Sequence, residues 1–256
     1  MGDRRSYAYG HGRRGQGSGF RGAWVGGFNP ASIADLALWL HAGQGITLNG
    51  ADVSGWADQT ANGNDAAQAT PAAQPVFTAA NALMNNKPSV DFDGSNHFMT
   101  IADAATVDIA AAGLSIYVAC VATTGVGNDM IVAKWQGTVQ EYQFRLDAAG
   151  NLDCFVRNGA NSANYSTSVP GLAGTSQIGS MRFADGDLRC RIDGGSENQD
   201  TSETGSQASD GVVGLAGFAD GTSLCQIDIA ELLMYQRDLT DAEDTAVRDY
   251  LTGEYQ

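Results

Sequence analysis

Asp228 and Glu231 stand three residues apart in the run Gln226-Ile227-Asp228-Ile229-Ala230-Glu231. Two carboxyl groups a few ångströms apart would suit glycoside hydrolysis, one acting as acid and the other as base or nucleophile. The position two residues before Asp228 holds Gln226, and an amide cannot serve as nucleophile. The spacing is therefore read as structural, and no catalytic residue is assigned. The three histidines, His11, His41 and His97, are far apart in sequence, and no Gly-x-Ser-x-Gly elbow, HExxH or Walker loop occurs. Lone histidines near strand ends usually serve as hydrogen-bonded structural groups. The chain is expected not to be an enzyme.

Binding chemistry has three candidate locations. The turns Asp93-Gly94-Ser95-Asn96 and Asp185-Gly186-Asp187 offer the hard oxygen ligands that calcium prefers. Asp93, Asn96, Asp185 and Asp187 are the candidate ligands, although acidic turns are ordinary on an acidic chain, and no cofactor is otherwise expected. Sugar binding needs an exposed aromatic ring beside polar side chains. Tyr165, Trp135 and Tyr142 qualify by type. Trp135 closes a strand-like run and Tyr142 lies on the apolar side of an alternation, so both are expected in the core. The third location is the N-terminal segment, residues 1–30, where Arg4, Arg5, Arg13, Arg14 and Arg21 are interleaved with Tyr7, Tyr9, Phe20, Trp24 and Phe28. Such a segment can stack on single-stranded nucleic acid, act as a solvated linker, or dock on an acidic protein surface with arginines and aromatics as anchors. Docking is the reading adopted.

The elements that must position these groups begin after that segment. Five arginines against the single acid Asp3 give residues 1–30 a net charge of +4, which leaves −19 on residues 31–256 of a chain whose total is −15. Gly-rich polar sequence cannot bury enough apolar surface to offset its ordering entropy. The chain thus divides into an extended basic arm, 1–30, and a folded domain, 31–256. An acidic domain disfavours nucleic acid as a partner, because phosphate neutralisation needs a basic face. No run of about 18 apolar residues suggests a membrane span, and no apolar core of a secretory signal follows the first arginines. Cys120, Cys154, Cys190 and Cys225 include no CxxC pair. Each falls on the apolar side of a strand-like run, so free core thiols are expected.

The domain reads as short alternating runs separated by Gly, Asn, Asp and Ser, the all-β pattern. Tyr142, Phe144 and Leu146 alternate with Glu141, Gln143, Arg145 and Asp147; Leu152, Cys154 and Val156 repeat the pattern after a turn, predicting a hairpin. Leu114–Ala122 is apolar throughout and suits a central strand covered on both faces. A change of face near Ala230-Glu231 predicts a β-bulge. Thr240 with Glu243 forms a capping box for a helix over 241–251. The segments 58–74 and 194–210 read as loops.

Three stretches resemble the laminin-G-like, concanavalin A-type jelly-roll domain: 36–66, containing Leu36-Ala37-Leu38-Trp39-Leu40-His41 and Val53-Ser54-Gly55-Trp56; 87–98, around Asp91-Phe92-Asp93-Gly94; and the closing segment 229–243. The resemblance covers about 36–255 and implies a two-sheet antiparallel jelly-roll sandwich with a short C-terminal helix. Some jelly-roll glycosidases carry Glu-x-Asp-x-x-Glu where this chain has Gln226, Asp228 and Glu231. His41 and His97 replace residues that are commonly Asp. Domains of this kind occur in bacteriophage structural proteins, in adhesins and in carbohydrate-binding modules. The resemblance implies a non-enzymatic virion protein made in the host cytoplasm: a capsid decoration or head-fibre protein, present in many copies and held by its arm to the major capsid protein. A tail or baseplate component bound to a tail protein, or a carbohydrate-binding adhesion module for host-surface glycans, is the alternative.

Overall fold

The computed structural model describes residues 27–122, 127–136, 139–158, 163–169, 174–201 and 209–256. Arg4, Arg5, Tyr7, Tyr9, Arg13, Arg14, Phe20, Arg21 and Trp24 lie outside the described residues. Among the described residues there are seventeen strands and one α-helix. The first eight strands are β1 (Leu36–His41), β2 (Ile46–Asn49), β3 (Asp52–Trp56), β4 (Ala66–Ala67), β5 (Val76–Asn81), β6 (Lys87–Asp93), β7 (Met99–Ile101) and β8 (Leu114–Ala122). Next come β9 (Asp129–Gln136), β10 (Val139–Leu146), β11 (Leu152–Asn158), β12 (Ala163–Val169) and β13 (Ser176–Ala184). The last are β14 (Asp187–Ile192), β15 (Asn198–Asp200), β16 (Val213–Leu215) and β17 (Gln226–Tyr235), followed by α1 (Asp241–Tyr255).

Every strand pairing is antiparallel, and the hydrogen-bonded strands fold over into two layers. In the back layer β17 pairs with β8 along one side, and with β6 and then β1 along the other. Strands β13, β14 and β15 extend this layer beyond β8. The front layer runs β12-β11-β10-β9-β16-β7-β4, and β3 links β4 to β2 and β5 at one end. This is the expected jelly-roll sandwich.

The alternation in sequence dictates the core. Tyr142, Phe144, Leu146, Leu152, Cys154 and Val156 from the front layer meet Ile116, Val118, Leu232 and Met234 from the back. The predicted hairpin pairs Tyr142 with Val156 and Leu146 with Leu152. Its turn needs Gly150 at φ 79°, a conformation that side chains with a Cβ resist. All nine residues of β8 are buried, because core covers one face and α1 the other. Val247, Tyr250, Leu251 and Tyr255 of the helix pack on Tyr117, Leu233 and Tyr235. The capping box forms as predicted between Thr240 and Glu243. Arg237, together with the Thr240 contacts, pulls the Glu243 carboxyl down to about 2. The helix runs to Tyr255 rather than Leu251, because the Tyr255 ring is itself buried. The β-bulge falls between Ile229 and Glu231. All four cysteines are free and buried, and burial pushes the Cys120 thiol up to about 12, so it stays protonated.

Candidate functional site

The side chains of β10 that alternate away from the core, Gln143 and Arg145, share the outer front face with Asp153, Phe155 and Arg157 of β11. Register places Gln143 opposite Phe155 and Arg145 opposite Asp153. Trp135 of β9 stands opposite Gln140 and turns to the same face. Its ring meets Phe155 edge-on, with centroids 6.1 Å apart and planes at 90°. The Arg145 guanidinium lies 4.7 Å above the Phe155 ring, and that of Arg157 lies 5.8 Å above Trp135. Arg145 donates to Asp153 at 2.9 and 2.7 Å and to the Gln143 side-chain oxygen at 2.8 Å. Arg157 donates to the Gln140 side-chain oxygen. Trp135, Phe155, Arg157 and Gln140 are all partly exposed. The result is a pair of aromatic rings set at right angles and rimmed by amide and guanidinium donors. Such a surface can stack on the apolar face of a sugar ring while its rim bonds to hydroxyl groups.

This placement corrects the expectation that Trp135 lies in the core. Tyr142 is a core residue as expected, and its hydroxyl donates to the Val107 carbonyl at 3.0 Å. The side chain of Tyr165 lies outside the described residues. Phe155 and both arginines went unrecognised as binding residues, although the signal was present. Phe155 interrupts the polar side of the Leu152-Cys154-Val156 alternation, where an aromatic ring has no core to join.

Beneath this face the sheet is braced by a buried ion cluster. Lys134, with no exposed surface, reaches Asp103 at 2.8 Å, Asp108, and Glu141 at 3.5 Å. Glu141 also accepts from the Ile109 amide and from Ser209 at 3.1 Å. Burial pushes the Glu141 carboxyl above its usual range, and its hydrogen bonds and Lys134 work against that rise. The cluster ties the β7–β8 connection and the segment at Ser209 to the sheet beside Trp135.

The motif considered for hydrolysis sits on the opposite face of the molecule. Glu231 is fully buried. It accepts from Trp39 Nε1 at 2.6 Å, from the Tyr250 hydroxyl at 3.1 Å and from the Tyr255 hydroxyl at 2.7 Å. Burial outweighs those bonds and holds its carboxyl up at about 7. Asp228 accepts from Asn81 at 2.7 Å. Both oxygens of Glu231 are engaged under α1, so the pair is not poised to act on a substrate. Trp39 itself is only partly buried.

The oxygen-rich turns are also committed. Asp93 accepts from the amides of Ser95, Asn96 and His97 at 2.9 to 3.0 Å. These bonds overcome the effect of burial and hold its carboxyl below the usual range. The Asn96 amide donates to the Ala72 carbonyl, and at Gly94, φ 67°, a Cβ would collide with the Gln226 backbone. Asp187 is bound by Arg189 and by Gln199 at 2.8 Å. Asp185 lies in the adjacent turn, and the structure does not gather it with Asp187 into a ligand set: among the described residues no group of three or more His, Cys, Asp or Glu could hold a metal. Phe28, expected as a docking anchor, packs on the domain's own Tyr250 with centroids 5.5 Å apart. With Gly27, Asn29 and Trp39 it lines a pocket of about 260 Å³.

The fold is shared with solved structures. One is the binding domain of Paraclostridial Mosquitocidal Protein 1, with a TM-score of 0.62 and 10% identity over 86% of this chain and 52% of that one. A second is the ligand binding domain of botulinum neurotoxin serotype D, solved in complex with N-acetylneuraminic acid, with a TM-score of 0.63 and 10% identity over 88% of this chain and 52% of that one. A third is an arabinofuranosidase solved with arabinofuranosyl-alpha-1,2-xylobiose, with a TM-score of 0.60 and 14% identity over 80% of this chain and 51% of that one. No family model matches the chain, and no curated protein matches it. This chain spans about half the length of the solved structures it matches, and at these identities the likeness is one of fold.

That likeness corrects the expectation of a bacteriophage virion protein. The solved structures that share the fold include several toxin binding domains, among them the receptor binding domain of botulinum neurotoxin type G. The virion location and the capsid or tail partners fall with that expectation. The expectation that the chain is not an enzyme agrees with the binding domains that share the fold, although part of an arabinofuranosidase shares it too.

Proposed function

We propose that the chain is a glycan-binding module that holds sugar rings on its outer front face. The observation that carries this reading is the partly exposed Trp135–Phe155 pair, set at 90° and rimmed by Gln140, Arg145 and Arg157. Aromatic rings on a braced sheet give a rigid stacking platform, so little ordering entropy opposes binding. Two of the structures sharing the fold were solved with sugars bound, which agrees with this reading. Surface glycans are met outside cells, so an extracellular role belongs to the same proposal. The division into an arm at 1–30 and a domain at 31–256 also remains a proposal, with the arginines of the arm serving to attach the module to an acidic protein surface.

The test is a glycan array probed with the intact chain, followed by titration of the hits. Trp135→Ala and Phe155→Ala should each weaken binding by about tenfold or more, the loss expected of an aromatic anchor at the centre of a site. Hits that bind both variants as well as the parent would move the site elsewhere, and an array without hits would refute glycan binding.

A further inference from the structure

Residues 31–256 contain nine cationic side chains against a net charge of −19, so carboxylates are abundant around every one of them. Eight are paired: Lys87 with Glu254, Lys134 with Asp103, Arg145 with Asp153, Arg182 with Glu197, Arg189 with Asp187, Arg191 with Glu197, Arg237 with Glu243 and Arg248 with Asp244. Among the described residues, Arg157 alone has no carboxylate within ion-pair distance. It is also the arginine that lies over Trp135, at the centre of the candidate face.

The contrast with Arg145 sharpens the point. Both arginines stack on an aromatic ring of the same face. Arg145 is neutralised by Asp153 and held by Gln143. Arg157 is held by the neutral amide of Gln140, which fixes one edge of the guanidinium and leaves its charge uncompensated. A guanidinium carries five donors in a planar fork that matches an oxyanion. Its indole support and the Gln140 bond restrict its rotamers in advance, so less freedom is lost when a ligand arrives.

We infer that the sugar taken by this face bears an oxyanion group, a carboxylate or a sulfate, which pairs with Arg157 while the sugar ring stacks on Trp135. This inference rests on the glycan-binding reading and adds the ligand class to it. The overall negative charge of the domain repels anionic polymers at long range. Recognition is therefore confined to short contact at Arg157 and favours a ligand with one or a few charges over a polyanion.

The experiment titrates the intact chain with matched oligosaccharides: a uronic-acid oligomer, its carboxyl-reduced neutral form, and a sulfated form of the neutral oligomer. The charged forms should bind about tenfold or more tightly than the neutral one, and whichever charged form binds identifies the oxyanion. Arg157→Met keeps the apolar stem on the indole and removes the charge, so the ratio of charged to neutral affinity should fall towards one. Arg157→Lys should recover part of it. In the parent chain, added salt should weaken the charged ligand more than the neutral one. If charged and neutral forms bind alike and Trp135→Ala abolishes both, the glycan reading survives and the oxyanion inference is overturned. If Arg157→Met leaves the ratio unchanged, the charge is read elsewhere and the inference is also overturned. If no form binds, both readings fall.

Discussion

Trp39 and Trp135 are both partly exposed tryptophans on outward faces of the sandwich, one on each sheet. Trp39 donates its indole N–H to a fully buried carboxylate that also gathers Tyr250 and Tyr255 from the C-terminal helix. Trp135 meets a phenylalanine edge-on and carries a guanidinium that no carboxylate among the described residues neutralises. The one α-helix among the described residues lies on the back face, so the Glu231 carboxyl that Trp39 bonds is sealed, while the front cluster is open. A tryptophan beside polar groups is thus a structural bolt or a binding platform according to what covers it and whether its charged neighbours are satisfied.

The largest expected effect separates these roles directly. Trp39→Ala removes ring packing against the helix layer and one of three donors to a buried carboxyl group. Large-to-small changes at such rings typically cost about 3 kcal/mol or more, and an under-satisfied carboxyl adds to that. Urea denaturation should show a loss of about this size. A loss below about 1 kcal/mol would mean that the back face is not held by this cluster.

The second expected effect sharpens the same side of the comparison through pH. Burial holds the Glu231 carboxyl up at about 7, against an ordinary value of 4.5. The folded state therefore keeps this proton more tightly than the unfolded chain. Its contribution to stability is complete below about pH 4.5 and is lost as pH rises to about 7, a change on the order of 3 kcal/mol. Glu231→Gln cannot ionise, so the stability difference between variant and parent should move in the variant's favour over that range. Parallel denaturation curves from pH 4 to 8 check this, and a difference independent of pH would show that Glu231 does not titrate there.

Much of the fold was legible because alternation is a direct record of burial. The β10–β11 hairpin, the covered central strand β8, the bulge before Glu231 and the capped helix all followed from local pattern. The candidate face was less legible, for two reasons. Met130, Ile131, Val132 and Ala133 are buried whichever way they point, so β9 reads as a uniform apolar run and hides the side on which Trp135 emerges. The register shift between Gln140 and Tyr142 then breaks the parity needed to place Trp135 against β10. On the back face, Trp39 and Glu231 are 192 positions apart, and no local pattern links them. Phe155 was the readable exception, an aromatic residue on the polar side of a strand.

The smallest expected effect tests the front face by its structural indifference. Trp135 contributes an edge-on contact to Phe155, worth about 1 kcal/mol, and a support for Arg157 of about 0.5–1 kcal/mol. Neither lies in the core between the sheets, and the Lys134 cluster braces β9 independently of the ring. Trp135→Ala should therefore cost about 1 kcal/mol in urea denaturation, well below the loss at Trp39, while weakening glycan binding by about tenfold or more. The two measurements must be made on the same preparation, because only their divergence identifies a binding platform. If Trp135→Ala destabilises the chain as much as Trp39→Ala does, the front rings are a structural bolt like those behind, and the distinction between a sealed and an open face collapses.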